Sequence, residues 1–219
     1  MPDYYVVHGY DEEGNYLFHD FDGSVGRTHH TKLGDTGIGL CYLMIVHPRE
    51  AADERVTVRQ ALEFALEVAE GKHGHGGEYA TGLAGYDRWI AALEEPETIL
   101  AGDVAGFGMA YNAACWAECR RHSVGFLREA RERLDDADLN VDFGAAIDQY
   151  GSVAGSLSKV SELFPFELGA DAEMRERLQD GERRSGALEA LRTARDAETK
   201  GIEVLARIAE ALGTAMAGD

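Results

Sequence analysis

The hydrophobic period of this 219-residue sequence changes once, close to residue 50, and this change most limits the fold. Before it, aromatic and β-branched residues occur in short runs over 4–8, 16–19 and 40–46. Runs of this length, separated by turn-forming residues, predict β-strands. From Thr57 onward, apolar residues recur every three or four positions, which is the period of an amphipathic helix. We therefore predict a β segment over 1–50 and a helical bundle over 51–219.

The predicted class is α+β, with an antiparallel segment of about three strands followed by an antiparallel bundle of four to six helices. Thr57 and Gln60 have the spacing of a capping box and predict the start of the first helix. A long helix is expected over 105–134, and the last segment forms one helix or two helices broken near Gly181. The buried stripe of the long helix is predicted to hold Asn112, Trp116, Cys119, Phe126, Leu127, Ala130 and Leu134.

The charge of the chain argues against two classes of partner. A net charge of −19 disfavours nucleic acid, since phosphate binding needs a dense field of lysine and arginine, and also disfavours an anionic membrane surface.

The longest apolar run, 40–46, is too short to span a bilayer. Three cysteines, at 41, 115 and 119, do not form a disulfide framework. These features predict a cytoplasmic protein.

Five residues of the second and third predicted helices form a candidate ligand-binding site. Asn112 is expected on the apolar side of its helix, where an unpaired amide costs about 1–3 kcal/mol, so that a neighbour or a ligand must satisfy it. Aromatic residues at helical spacing also form ordinary protein cores, and this alternative stays open. The candidates are Tyr86, Trp89, Tyr111, Asn112 and Trp116.

Two groups of residues are candidates for holding a divalent transition metal. Cys115, Cys119 and His122 share one helix face and offer soft ligands, although a single helix seldom supplies three ligands to one ion. The loop histidines form the second group, if their loops converge: His29, His30, His73 and His75. Solvated histidines and buried thiols are the alternative, and no other cofactor is expected.

The stretch 4–11, Tyr-Tyr-Val-Val-His-Gly-Tyr-Asp, followed by His19 and Asp20, resembles the second half of papain-like proteins related to bacteriocin-processing peptidases and to butirosin biosynthesis protein H. The stretches 33–37, 110–114 and 161–166 resemble the helical C-terminal part of uncharacterised relatives. The resemblance implies a catalytic histidine at position 3, where this chain has Asp3, and an orienting acid at Asp20. His8 lies an odd number of positions from Asp3, on the opposite strand face.

The resemblance also implies a nucleophilic cysteine upstream of this strand, whereas all three cysteines follow it. A thiolate needs its base within hydrogen-bond reach. We therefore expect a non-catalytic relative, or a detached C-terminal half, that binds a small molecule or a protein partner and forms a homodimer. The alternatives are an acyltransferase or amide hydrolase completed by a partner chain, in which His8 or Asp20 takes part, and a metal-binding protein that uses the histidine-rich loops.

Overall fold

The computed structural model describes residues 6–19, 23–33, 35, 47–73, 79–102, 105–167 and 171–214. The chain divides into two compact units, Met1–Ala51 and Ala52–Asp219. The first unit contains a β-sheet and the second consists of helices, so the predicted α+β class and the order of its two parts are confirmed.

The sheet of the first unit has three antiparallel strands in the order β1 (Val7–Tyr10), β2 (Asn15–His19) and β3 (Val25–His29). The turn between β1 and β2 is closed by Asp11, whose carboxylate accepts hydrogen bonds from the backbone and side-chain amides of Asn15. Gly14 in this turn has φ +83°, a conformation that favours glycine. A short 3₁₀ turn, His30–Lys32, follows β3.

The strand β3 was not among the predicted strands, and the predicted strand over 40–46 lies outside the described residues. Gly26 in the middle of β3 weakens the sequence signal for a strand. The structure shows why glycine fits there, because a Cβ at Gly26 would lie 2.3 Å from Cε2 of Phe18. The ring of Phe18 on β2 therefore lies across Gly26.

Seven α-helices follow in the described part of the second unit. They are α1 (Glu54–Ala69), α2 (Gly82–Glu94), α3 (Pro96–Leu100), α4 (Ala105–Leu134), α5 (Asn140–Leu163), α6 (Asp171–Gln179) and α7 (Gly181–Thr214). The predicted long helix over 105–134 is confirmed. Of the two alternatives for the last segment, the structure shows two helices with a break next to Gly181. Asp180 lies at that break, and its carboxylate accepts hydrogen bonds from the first amides of α7.

The first helix begins earlier than the capping-box prediction placed it. Asp53 is the N-cap, and its Oδ1 accepts a hydrogen bond from the backbone amide of Val56 at 3.0 Å. Thr57 lies inside the helix and donates its hydroxyl to the carbonyl of Asp53. Pro96 follows the end of α2 and occupies the first turn of α3, where its missing amide hydrogen costs nothing.

The helices enclose two hydrophobic clusters along the bundle. The most extensive interfaces are between α5 and α7 and between α4 and α5. The first core cluster includes Met109, Leu157, Phe164 and Leu191, and the second core cluster includes Leu127, Phe143, Ile208 and Leu212. Each of α4, α5 and α7 contributes to both clusters with successive parts of its length.

The buried face of α4 differs from the predicted stripe. Its buried residues are mostly small: Gly106, Met109, Ala110, Ala113, Ala117, Val124, Leu127 and Ala130. Three residues predicted to be buried, Asn112, Cys119 and Phe126, are exposed. Small side chains allow neighbouring helices to approach closely, so here the helix turns its alanines inward and several larger side chains outward.

Candidate functional site

Three of the five predicted ligand-binding residues meet between α2 and α4. The rings of Tyr86 and Trp116 have an edge-to-face arrangement with centroids 5.1 Å apart, and those of Trp89 and Trp116 lie 6.0 Å apart. The indole nitrogen of Trp89 donates to the sulfur of Met109 at 3.1 Å. A Cβ at Gly85 would lie 3.0 Å from the ring of Trp116, so the glycine makes room for that ring. These three residues therefore pack against one another as part of the first core cluster.

The other two predicted residues lie elsewhere on α4. Asn112 is exposed, so the buried amide that motivated its choice is not present. Tyr111 stacks on Phe107 with ring centroids 5.5 Å apart, and Phe166 lies edge-on to both rings. We call Phe107, Tyr111 and Phe166 the aromatic surface. The five residues thus do not form one site.

A buried ion pair between Arg120 and Glu198 adjoins the Tyr86–Trp116 contact. Glu198 on α7 is only 4% exposed and is the one buried charged residue in the part of the chain that the structure describes. Its Oε2 accepts a hydrogen bond from the Tyr86 hydroxyl at 2.9 Å and from Nε of Arg120 at 2.8 Å. The guanidinium of Arg120 also lies 5.6 Å from the centroid of the Trp116 ring, within range of a cation–π interaction. Residues of α2, α4 and α7 thus meet at one carboxylate.

The electrostatics of this network keep its two phenols and its guanidinium in their ordinary charge states. Burial, and then the Glu198 carboxylate, raise the pKa of Tyr86 well above its ordinary value. The pKa of Tyr150 on α5 is raised for the same two reasons. Burial alone would lower the pKa of the Arg120 guanidinium, but Glu198 raises it. Both phenols stay neutral and Arg120 stays charged at neutral pH, so the arrangement acts as a structural ion pair and lacks an activated nucleophile.

The spacing of the sequence indicates that Glu198 is buried, although glutamate is not a residue type expected in a core. Glu198 stands seven residues from both Leu191 and Leu205, and Leu212 follows after seven more. It therefore occupies an inward position of α7, on the same stripe as three leucines. Arg120 likewise lies between Ala117 and Val124 in the buried stripe of α4. Both groups mark the boundary between the two core clusters.

The aromatic surface lies beside the start of α4, which is fixed by a residue of α6. Oδ1 of Asp171 accepts a hydrogen bond from the backbone amide of Phe107 at 2.8 Å, and its Oδ2 accepts one from Nε of Arg175 at 2.7 Å. Arg175 also donates to the carbonyls of Leu100 and Gly102. These bonds lower the pKa of Asp171, first through the Phe107 amide and then through Arg175. One carboxylate thus connects α6 to the first turn of α4.

The lowered pKa of Asp171 predicts a pH-dependent effect of Asp171→Asn. The ionised carboxylate contributes stability above its unfolded pKa of about 4, and this contribution is lost as the pH falls through the lowered folded pKa. We expect the variant to be less stable than the parent protein at pH 7 and to approach it in acid. Urea midpoints at pH 7 and at pH 3 measure this difference. Glu173→Gln, in an exposed pair with Arg177, is the control and should change little at either pH.

The two faces of the sheet differ sharply in chemistry. Residues opposite each other across a sheet share a face, as do alternate residues along a strand. Val7 lies opposite Phe18 and Phe18 opposite Gly26, while Tyr10 lies opposite Tyr16 and Tyr16 opposite Thr28. We call these six residues the apolar sheet face. The other face carries His8, Leu17, His19, Val25 and Arg27.

No described residue of the sheet unit is buried. Tyr10 on the apolar sheet face is 82% exposed, and Val25 on the opposite face is 63% exposed. A three-stranded sheet gains stability only when one face is covered by other apolar groups. Val7 and Tyr10 therefore leave exposed apolar surface on the β1 side of the apolar sheet face.

The catalytic candidates His8 and Asp20 are not brought together within the described residues. The ring of His8 stacks on that of His19 with centroids 4.6 Å apart. Asp20, the predicted orienting acid, and Asp3 lie outside the described residues, as does Cys41. Cys115 is half-buried and Cys119 is exposed, and both are free thiols. The participation of His8 or Asp20 in catalysis stays a prediction.

The metal candidates occupy separate places. The ring centroids of His29 and His30 lie 4.3 Å apart. His29 is hydrogen-bonded to the hydroxyl of Thr31, and His30 is hydrogen-bonded to the carbonyl of Gly14. His73 is 2.9 Å from Glu67, and His122 is 3.9 Å from Glu118. Among the described residues, no three His, Cys, Asp or Glu side chains form a group that could hold a metal ion. His75 lies outside them, so the loop site stays a prediction.

None of the helices in the described ranges combines the length and apolar character needed to cross a membrane. Comparison of the chain with protein-family models, with curated proteins and with solved structures gives no match.

Proposed function

We propose that this chain is a non-catalytic binding protein that contacts another polypeptide through its apolar sheet face. The observation that carries the proposal is the exposure of Val7 and Tyr10 on a sheet that has no buried residue in its described part. Covering apolar surface contributes roughly 25 cal/mol per Å², and a large aromatic side chain supplies much of that area. Binding of a partner would provide the stabilisation that the sheet lacks.

A polypeptide is a better candidate than a small molecule for the ligand. Tyr86, Trp89 and Trp116 were predicted to line a small-molecule pocket, but their rings contact one another. Val7 and Tyr10 on the apolar sheet face are exposed, and exposed apolar side chains suit a partner protein better than a small ligand, which needs a concave site. A cytoplasmic location, predicted from the cysteine pattern, belongs to the same proposal.

The non-catalytic part of the proposal rests on the sequence. The resemblance to papain-like proteins places Asp3 at the expected position of the catalytic histidine, and each cysteine follows that strand. We expect the purified chain to hydrolyse neither peptide nor ester substrates. Turnover that disappears in one of Cys41→Ala, Cys115→Ala or Cys119→Ala would contradict this part of the proposal.

Site-specific photo-cross-linking tests the binding part. A benzoylphenylalanine residue at Tyr10, on the apolar sheet face, is expected to form a covalent adduct with a polypeptide on irradiation of cells that produce the full chain. The matched control carries the same residue at Val25, which is also exposed but lies on the opposite face. Failure of position 10 to form an adduct, or equal labelling from both positions, would reject the proposed surface.

A further inference from the structure

We infer that His8 and His19, on adjacent strands of the sheet, form a site that binds a divalent transition metal ion through two imidazole nitrogens. The site lies on the face opposite the apolar sheet face, so the inference goes beyond the proposed function and does not depend on it. Imidazole is a common protein ligand for Cu²⁺, Ni²⁺ and Zn²⁺. Water molecules would fill the remaining coordination positions of the ion.

The distance between the two rings suits a pair of ligands. Their centroids lie 4.6 Å apart. With a metal–nitrogen distance of about 2.1 Å, two imidazoles in adjacent coordination positions have centroids roughly 4.5–5.3 Å apart. The two ring planes are only 24° apart, so a turn about χ2 is needed to direct both nitrogens at one ion. This torsion is broad in histidine, and both side chains are exposed.

The backbone keeps the two histidines together before an ion binds. His8 belongs to β1 and His19 to β2, and these strands pair in an antiparallel register. The turn between them is closed by hydrogen bonds from Asn15 to the carboxylate of Asp11. Preorganisation of this kind strengthens binding, because less conformational freedom is lost when the ion is bound.

The charges near the pair permit a cation. Arg27 lies on the same face and opposes one, but the carboxylate of Asp11 partly offsets its charge. The interaction is evident at Asp11, whose pKa is lowered first by the hydrogen bonds from Asn15 and further by the charge of Arg27. The whole chain carries −19, and a negative potential raises the concentration of cations at a protein surface.

The other histidine pair of the sheet unit, His29 and His30, is less suited to an ion. Nδ1 of each ring is already hydrogen-bonded, that of His29 to the hydroxyl of Thr31 and that of His30 to the carbonyl of Gly14. Nε2 of His29 faces the turn, since a Cβ at Gly14 would lie 3.2 Å from it. Neither ring of the proposed site is hydrogen-bonded to another residue in the described part of the chain. These nitrogens therefore remain available to a metal ion.

Titration of the purified full chain, without a histidine tag, with Ni²⁺ tests the inference. Ni²⁺ is paramagnetic and broadens the NMR signals of the histidine rings that bind it, and unlike Cu²⁺ it does not oxidise free thiols. The sequence contains eight histidines, so the others serve as internal comparisons. The signals of His8 and His19 should broaden together at substoichiometric Ni²⁺, before those of His29 and His30.

His8→Gln and His19→Gln each remove one ligand and should weaken Ni²⁺ binding on the order of a hundredfold, because the second contact is no longer intramolecular. The signal of the remaining histidine should then broaden no earlier than the others. His73→Gln, which replaces an exposed histidine of the helical unit, is the control and should leave the Ni²⁺ affinity unchanged.

The inference is overturned if other histidines broaden first, or if either His8→Gln or His19→Gln binds Ni²⁺ as tightly as the parent chain. Both positions are exposed, so glutamine should have little effect on the fold. Unshifted signals of His29 and His30 in the two variants verify that the sheet is intact. Weakened binding in a variant with an intact sheet therefore reports the loss of a ligand.

Discussion

Glu198→Ala is expected to lower the free energy of unfolding by about 3–5 kcal/mol, because it leaves a buried cation without its partner. Arg120 has only 22% of its side chain exposed and donates Nε to the carboxylate of Glu198. The Tyr86 hydroxyl, which is buried between the helices, would lose the same acceptor. Urea denaturation of the parent and variant proteins at pH 7 measures the difference.

An exposed ion pair provides the control. It joins α2 and α7, the two helices that the Tyr86–Glu198 hydrogen bond also connects. Glu94 on α2 pairs with Arg192 on α7, and the two side chains are about half exposed. Exposed pairs contribute little, so Glu94→Ala should cost no more than about 1 kcal/mol. Equal losses in the two variants would show that burial of the Glu198 carboxylate has no special energetic consequence, and would contradict the prediction.

A double variant separates the charge of the network from its packing. Replacing both partners, as in Arg120→Met combined with Glu198→Leu, removes the buried charges together and should recover much of the stability lost in Glu198→Ala. The recovered part of the loss would then reflect the unpaired Arg120, because the Tyr86 hydroxyl lacks its acceptor in both variants. If the double variant remains as unstable as Glu198→Ala, the loss comes from the Tyr86 hydroxyl and from packing at this level of the bundle.

The position of the Tyr86–Arg120–Glu198 network in the bundle indicates its structural role. It lies where the two core clusters meet, and it connects α2, α4 and α7 at one carboxylate. Alanine-rich faces such as that of α4 can slide along a neighbouring helix with little change in contact. A single buried polar group can fix the relative positions of helices. We interpret Glu198 as the residue that aligns α7 with α2 and α4.

Much of the architecture could be predicted because it follows from the spacing of apolar residues. The change from strands to helices, the long helix α4 and the break before α7 all follow local patterns. The strand β3 could not be predicted in the same way. Gly26 opposes a strand locally, and it fits only because the ring of Phe18 from the next strand occupies the space above it.

The sites were harder to predict because they depend on contacts between distant segments. Tyr86, Trp89 and Trp116 do meet, but nothing local shows whether their rings enclose a ligand or fill a core. The stripe of α4 was placed by its bulky residues, whereas the buried face follows Ala110, Ala113 and Ala117. The burial of Glu198 is not predicted from its residue type, because glutamate is usually exposed. Only its position in a stripe of leucines indicates that it points inward.

Gly106→Ala is the second substitution with a large expected effect, because a Cβ at this position has no space. The new atom would lie 2.4 Å from the backbone oxygen of Asp171 and 2.8 Å from Cβ of Met174. A backbone oxygen cannot rotate away as a flexible side chain can, so α4 and α6 would have to separate. Overpacking of this kind costs about 1–3 kcal/mol, and separation of α4 from α6 would also stretch the bond from the Phe107 amide to Asp171. Thermal or urea unfolding measures the loss.

Gly108→Ala, two residues further along α4, distinguishes this clash from the general effect of alanine in a helix. A Cβ at Gly108 would meet no atom within 4 Å. Alanine there should raise the free energy of unfolding by about 0.5–1 kcal/mol, because glycine loses more backbone entropy when a helix forms. The two variants have the same chemical change on the same helix, so effects of opposite sign would locate the cause in the contact with α6. Stabilisation by both substitutions would mean that α4 and α6 do not pack as closely at Gly106 as the structure shows.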